Sequence, residues 1–184
     1  MLVARSFVML ALVFASQAAH AIPIQYELQS LGGSEYRYEY TITNDRSLED
    51  EATVEWFTIF FEAALYDENS LYIVTADPPA AEWDEVILAS APLVDPAYDA
   101  FARAGGIAVD ETVTGFKVQF AWLGSGTPGP QPFEIYDSTT FEVLFEGSTE
   151  PRTTAIPEPG SLVLVLVGAI AAFAASLRRT GQAA

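Results

Sequence analysis

The chain has no cysteine. A secreted domain without disulfides has to be held together by its apolar core alone. Histidine is almost as scarce: His20 is the only one, and Lys117 is the only lysine. Most nucleophilic and metal-assisted mechanisms use His or Cys as base or ligand. Beyond residue 21 the chain offers neither. Positive charge is short as well, 8 Lys and Arg against 25 Asp and Glu. That balance excludes nucleic acid as a partner, because phosphate contacts need a basic face. No repeat of twenty to fifty residues is found, and no glycine-rich phosphate loop precedes a helix.

Apolar sequence is concentrated at the two ends. At the front, Arg5 supplies a positive charge, Phe7 to Ala15 an apolar run, and Ala19-His20-Ala21 a small-residue site. This is the pattern of a secretory signal helix, cleaved after Ala21. It implies the Sec translocon and signal peptidase as partners. Near the other end, Ser161 to Leu177 holds 17 uncharged residues, mostly Leu, Val, Ala and Ile. As a helix it reaches about 26 Å at ~1.5 Å per residue. That is just long enough for a hydrocarbon core about 30 Å thick. Arg178 and Arg179 follow it, as basic residues do on a cytoplasmic side. Pro157-Glu158-Pro159 precedes it, and the two prolines hold the chain extended there.

Residues 156 to 179, IPEPGSLVLVLVGAIAAFAASLRR, resemble the PEP-CTERM sorting signal: the tripeptide, the apolar span and the basic end in that order. The resemblance implies an exosortase, a membrane transpeptidase-like protease, as the partner that reads Pro157, Glu158, Pro159, Arg178 and Arg179. It also implies a Gram-negative host that makes exopolysaccharide. A plain single-pass anchor is the alternative reading of the same residues. A eukaryotic lipid-anchor signal fits less well, because it lacks a basic finish.

Between the ends, residues 22–156 carry 24 acids and 5 bases, a formal charge near −19. Such a charge keeps an extracellular domain soluble. Roughly 135 residues suffice for one core that buries about two thirds of the unfolded surface. Ser34 to Thr43 has the clearest alternation, with Tyr36, Tyr38, Tyr40 and Ile42 on one face. That is a half-buried strand, paired with Ile22 to Leu31 across Gly32-Gly33. Thr53 to Tyr66 reads as a central strand and Leu71 to Thr75 as a short one. Thr112 to Trp122 alternates again, and Phe133 to Tyr136 and Thr140 to Phe145 form a last pair. Asp95-Pro96 is a helix start signal, an N-cap followed by proline, for a turn or two ending by Arg103. The sum is an all-β antiparallel two-layer β-sandwich, Ig-like or jelly-roll-like. YRYEYTITN and FAWLGSGTPGPQPFEIYD also resemble the β-sandwich ectodomains of PEP-CTERM proteins. The expected organisation is a signal peptide 1–21, a sandwich 22–147, a linker 148–156 and a sorting signal 157–184, with the span at 161–177 and the basic end at 178–179.

Chemistry is sparse in the body. Glu55 and Glu62 are the tempting carboxylate pair for glycoside hydrolysis, but an odd separation puts them on opposite faces of a strand, and no enzyme is expected. Clustered oxygens suit calcium: Asn44, Asp45, Glu49, Asp50 and Glu51 in one loop, and Asp67, Glu68 and Asn69 in another. Asp45, Asp50 and Asp67 are the candidates to hold it, although neither loop has EF-hand spacing. Otherwise no cofactor is expected. Trp56 and Trp122 lie in strand patterns and read as core. Trp83, beside Asp84 and Glu85 in an irregular stretch, is the tryptophan expected to be exposed and to contact sugar. The expected role is a secreted or surface-sorted structural protein of the exopolysaccharide matrix. The alternative is a carbohydrate-binding module.

Overall fold

Period-two alternation builds two sheets, seen in a computed structural model that describes residues 24–48 and 52–152. The signal peptide with Ala19 and Ala21, the span 161–177, and Asp50, Pro157, Glu158, Pro159, Arg178 and Arg179 lie outside the described residues. Strands β1 (Ile24–Gly32) and β2 (Glu35–Thr43) form the expected hairpin, with Gly32 and Gly33 both at positive φ. Along its other edge β2 pairs with β7 (Thr112–Ala121). Their register slips after Tyr40, because Phe116 faces Tyr40 while Thr114 faces Thr41. The residue between is Gly115 at φ +102°, a bulge that a side chain would strain. Two short strands flank this sheet, β4 (Tyr72–Ile73) on β7 and β10 (Glu150–Pro151) on β1. The order is β10-β1-β2-β7-β4.

The second sheet centres on β3 (Trp56–Phe60), with β6 (Ala97–Ala102) and β8 (Pro132–Tyr136) at its sides. Outside them lie β5 (Trp83–Leu88) and β9 (Val143–Ser148), giving the order β5-β6-β3-β8-β9. Every named pair is antiparallel except β1 with β10. The all-β, two-layer expectation is therefore met among the described residues.

Three local expectations are corrected. Asp95-Pro96 starts a strand, not a helix: Tyr98, Ala100 and Ala102 are buried while Asp99 and Phe101 reach outward. Two neighbouring strands supply the ladder, so pairing outweighs the local cap signal. The Asp95 carboxylate instead accepts from the Ala63 N–H at 3.0 Å. The α-helix among the described residues is α1 (Pro79–Glu82), a single turn. The run 53–66 is not one strand. It leaves the ladder after Phe60, where the Glu62 carbonyl accepts from the N–H groups of Leu65 and Tyr66. Finally, the sandwich continues into the stretch expected as a linker, for β10 lies within 148–156 and Arg152 N–H still donates to the Tyr26 carbonyl.

The layer between the sheets is aromatic. Phe57, Phe61, Phe116 and Phe120 are sealed, and so are Tyr38, Tyr40 and Tyr98. Tyr40 stacks across the gap on Tyr98, and Phe57 meets Phe116 edge to face at 5.2 Å. A buried phenol needs a partner for its hydroxyl. The Tyr38 hydroxyl donates to the Gly129 carbonyl at 2.7 Å and lies 3.1 Å from that of Tyr66. The Tyr40 hydroxyl donates to Gln131 Oε1 at 2.6 Å, and Tyr98 donates to the Glu85 carboxylate.

Burial holds the hydroxyls of Tyr26, Tyr38, Tyr40, Tyr66 and Tyr98 above their ordinary value of 10.0. Above that pH the unfolded chain loses these protons while the folded one retains them. Stability is therefore undiminished by these groups below pH 10 and falls as pH rises past it. In an alkaline titration, tyrosinate absorbance from these rings should rise together with the loss of β-sheet circular dichroism. Full ionisation with the sheet signal intact would contradict the burial.

Candidate functional site

Trp83 is not a surface residue. Only 3% of it is exposed, and its ring packs on Phe57 at 5.6 Å and edge-on to Phe116 at 5.2 Å. The polar run Asp84-Glu85 misled the sequence reading, because in a strand the neighbours of an outward acid point inward. The expected sugar contact at Trp83 is thereby overturned.

Trp56 is the tryptophan turned outward from β3. It lies between Phe101 of β6 and Tyr136 of β8 in the ladder. Tyr136 stacks on it at 4.6 Å, Phe101 meets it edge-on at 6.1 Å, and Phe141, just before β9, does so at 5.7 Å. Phe101 is 39% exposed and Phe141 68%. Val143 of β9 continues this apolar row beside Tyr136. Two residues along the strands the row changes character, to Val86, Asp99, Thr58, Glu134 and Glu146.

Asp99 locks the indole in place. Its Oδ1 accepts from Trp56 Nε1 at 2.7 Å and from Thr58 Oγ1 at 2.5 Å. Glu134 accepts from the Tyr136 hydroxyl, and Glu55 from Ser138 Oγ. Burial first, then the Glu134 carboxylate, raises the Tyr136 hydroxyl well above the ordinary phenol value. The result is an aromatic strip beside a strip of carboxylates, a surface able to stack a flat apolar face and accept from its hydroxyls. In the sequence Trp56, Thr58 and Phe60 alternate with Phe57, Ile59 and Phe61, but both sets carry aromatics, so the pattern by itself does not mark the outward face.

The remaining candidates are dispersed. Glu55 and Glu62 flank opposite ends of β3. The five extended residues of β3 alone span roughly 13 Å between their end Cα atoms, beyond the ~5–9 Å a glycosidase pair requires. Asp45 Oδ1 accepts from the N–H and hydroxyl of Ser47, at 3.1 and 2.6 Å. Asp67 Oδ1 accepts from the Asn69 N–H at 3.1 Å and caps the short 3-10 turn Glu68–Ser70. Both act as loop caps in separate places. Among the described residues, no group of three His, Cys, Asp or Glu side chains is placed to hold a metal ion.

A second feature lies between the sheets' edges, beside Trp122. A cavity of about 200 Å³ is lined by Phe60, Glu62, Leu65, Tyr66, Trp122 and Gln131, with Pro130 and Pro132. Trp122 is half-buried, not core as expected; it meets Tyr66 edge-on at 5.0 Å.

No family model and no curated protein matches the chain. Among solved structures, it is similar to a chain of a type I cohesin–dockerin complex from Clostridium thermocellum, at 14% identity and a TM-score of 0.37. That match covers 72% of this chain and 100% of the other. It is also similar to a chain of the CaDoc0917–CaCohA2 complex, at 10% identity and a TM-score of 0.34, covering 70% and 99%.

The burial of Trp83 has a direct consequence. Trp83→Ala should lower unfolding stability by about 3–5 kcal/mol, as emptying a large aromatic site does. Denaturant melts would read this as a lower midpoint; an unchanged midpoint would show that the ring is not packed.

Proposed function

We propose that the protein is an exported, non-catalytic β-sandwich whose C-terminal segment is read and processed by an exosortase. The body then resides at the cell surface or outside the cell, with the exopolysaccharide matrix. The single observation that carries this reading is the sequence order at the tail: Pro157-Glu158-Pro159, the uncharged run 161–177, then Arg178-Arg179. The run is long enough to hold a chain temporarily in a bilayer. The prolines give a protease an extended backbone to grip, because residues before proline avoid the helical region. The signal-like front end supports export. The acid-rich body, near −19 in formal charge, suits a soluble life outside. The Sec translocon, signal peptidase and exosortase are the partners this route requires.

A second reading, carbohydrate binding, is favoured by the outward Trp56 strip with its adjoining Asp99 and Glu134. An aromatic face of this kind takes the C–H face of a sugar ring by stacking, while carboxylates accept from the hydroxyls at its edge. The same acids disfavour a uronate-rich polymer, so a neutral glycan is the ligand this surface suits.

Mass spectrometry of extracellular material tests the first reading. Mature protein should lack residues 161–184, and replacing Pro157-Glu158-Pro159 with three alanines should leave it membrane-bound and uncut. An intact C-terminus in exported wild-type protein would sink the processing claim. Affinity electrophoresis in gels of the host polysaccharide tests the second. Trp56→Ala should abolish retardation and Trp83→Phe should not; equal mobility of wild type with and without the polymer would end it.

A further inference from the structure

An edge strand presents a row of unpaired N–H and C=O groups, and proteins shorten, cover or proline-block such edges. Of the four sheet edges among the described residues, three are treated in this way. β10 and β4 are two residues long, and β10 ends in Pro151. β5 has α1 and β4 packed against it, and Thr75, two residues past β4, donates to Glu85 of β5 at 2.6 Å. β9 is the exception. It runs six residues and contains neither proline nor a base. Val143 is 49% exposed and Leu144 39%. Among the described residues no strand pairs with its outer side.

The ladder shows which backbone groups are open. The Thr149 N–H bonds the Gln131 carbonyl at 2.8 Å, toward the β8 side. Along an antiparallel strand this direction alternates, and the register with β8 runs unbroken from Ser148 to Phe145. The N–H and C=O groups of Glu146 and Ser148 therefore point away from β8. By the same alternation Glu146 and Glu134 are a non-hydrogen-bonded pair, the kind whose side chains lie closer.

Charge narrows the occupant. Like charges directly opposite each other are unfavourable. The pair Glu27 and Glu39 on the other sheet has Arg152 at 3.1 Å and Lys117 at 3.3 Å. Glu134 and Glu146 form no ion pair with any base among the described residues. Both line a cavity of about 310 Å³ that opens beside Phe60 and Pro132. A second copy would bring another Glu146 and a body of formal charge near −19 to this edge. A basic partner would relieve the pair. The open backbone selects a polypeptide over a glycan, because an extended peptide supplies N–H and C=O groups at the spacing of the strand.

We propose that β9 takes an extended segment of another protein by β-sheet addition, and that this segment carries lysine or arginine on the face it shares with Glu146. Its backbone bonds the N–H and C=O groups of Glu146 and Ser148. Strands lie ~4.8 Å apart, so a long basic side chain directed over Glu146 comes beside Glu134. Alternate apolar side chains continue the layer that Phe145 begins. The site needs neither a processed tail nor the Trp56 strip.

The test is hydrogen exchange read by NMR on the full-length protein, with the synthetic peptide acetyl-Thr-Lys-Val-Lys-Val-Lys-Thr-amide as probe. At saturation the Glu146 and Ser148 N–H groups should exchange about tenfold more slowly or better, and the Gly147 N–H, already directed at β8, should change less. Glu146→Lys should weaken binding about fivefold or more, the worth of an opposed charge pair. That variant should melt no lower than wild type, because its base answers Glu134. The same peptide methylated at every amide nitrogen keeps its charges and should not bind. The proposal is overturned if neither N–H slows, if the methylated peptide binds as well, or if Glu146→Lys binds as tightly as wild type. It is also overturned if a glucosamine tetramer protects these groups at lower concentration, because the occupant would then be a cationic glycan. Protection already present without peptide, and lost on dilution, would overturn it in favour of a second copy.

Discussion

The structure depends on burying phenols without stranding their hydroxyls. Tyr38, Tyr40 and Tyr98 are fully enclosed, so each hydroxyl must find an acceptor inside the protein. Those acceptors come from segments that are otherwise irregular. Gly129 and Gln131 belong to the Gly/Pro-rich connection between β7 and β8, and Glu85 belongs to the edge strand β5. The hydrogen bonds therefore fix loop to sheet and edge to centre. Holding Gln131 by Tyr40 and Thr149 also sets one wall of the cavity beside Trp122.

The acidity of the body is distributed with the same economy. Glu27 and Glu39 face each other directly across β1 and β2, where like charges repel. Arg152 lies beside Glu27 at 3.1 Å and Lys117 beside Glu39 at 3.3 Å. Two of the few bases thus relieve one unfavourable pair. Arg46 does the same for Asp110, holding its carboxyl below the usual carboxylate range mainly by hydrogen bonding. Exposed pairs of this kind add little stability individually. Their use here is to let an acid-rich surface close around the sandwich.

Sequence reading succeeded where two periods could not be confused. In β2 and β7 the residues Tyr38, Tyr40, Ile42, Phe116, Val118 and Phe120 alternate strictly and are all buried. It failed where a local signal competed with partners distant in the chain. Asp95-Pro96 carries a cap, but β3 and β5 recruit the next six residues as β6. In β3 both faces are aromatic, so alternation alone could not say that Trp56 rather than Phe57 points out. Trp83 looked exposed because its acidic neighbours are. That Trp122 Nε1 and Gln131 Nε2 are buried with no hydrogen-bond partner among the described residues had no signature in the sequence: an unpaired buried group becomes visible only when everything around it is placed.

The parallel contact of β10 on β1 has a mechanical meaning. Gln25 faces Glu150 and Tyr26 faces Pro151, with both strands running the same way. Tension applied at Ile24 and at Arg152 therefore pulls the two strands lengthwise past each other. Their hydrogen bonds share that load instead of opening one at a time, as they would in an unzipping hairpin. A body stretched between Ile24 and Arg152 thus meets the force first at a shear clamp on the edge of the first sheet.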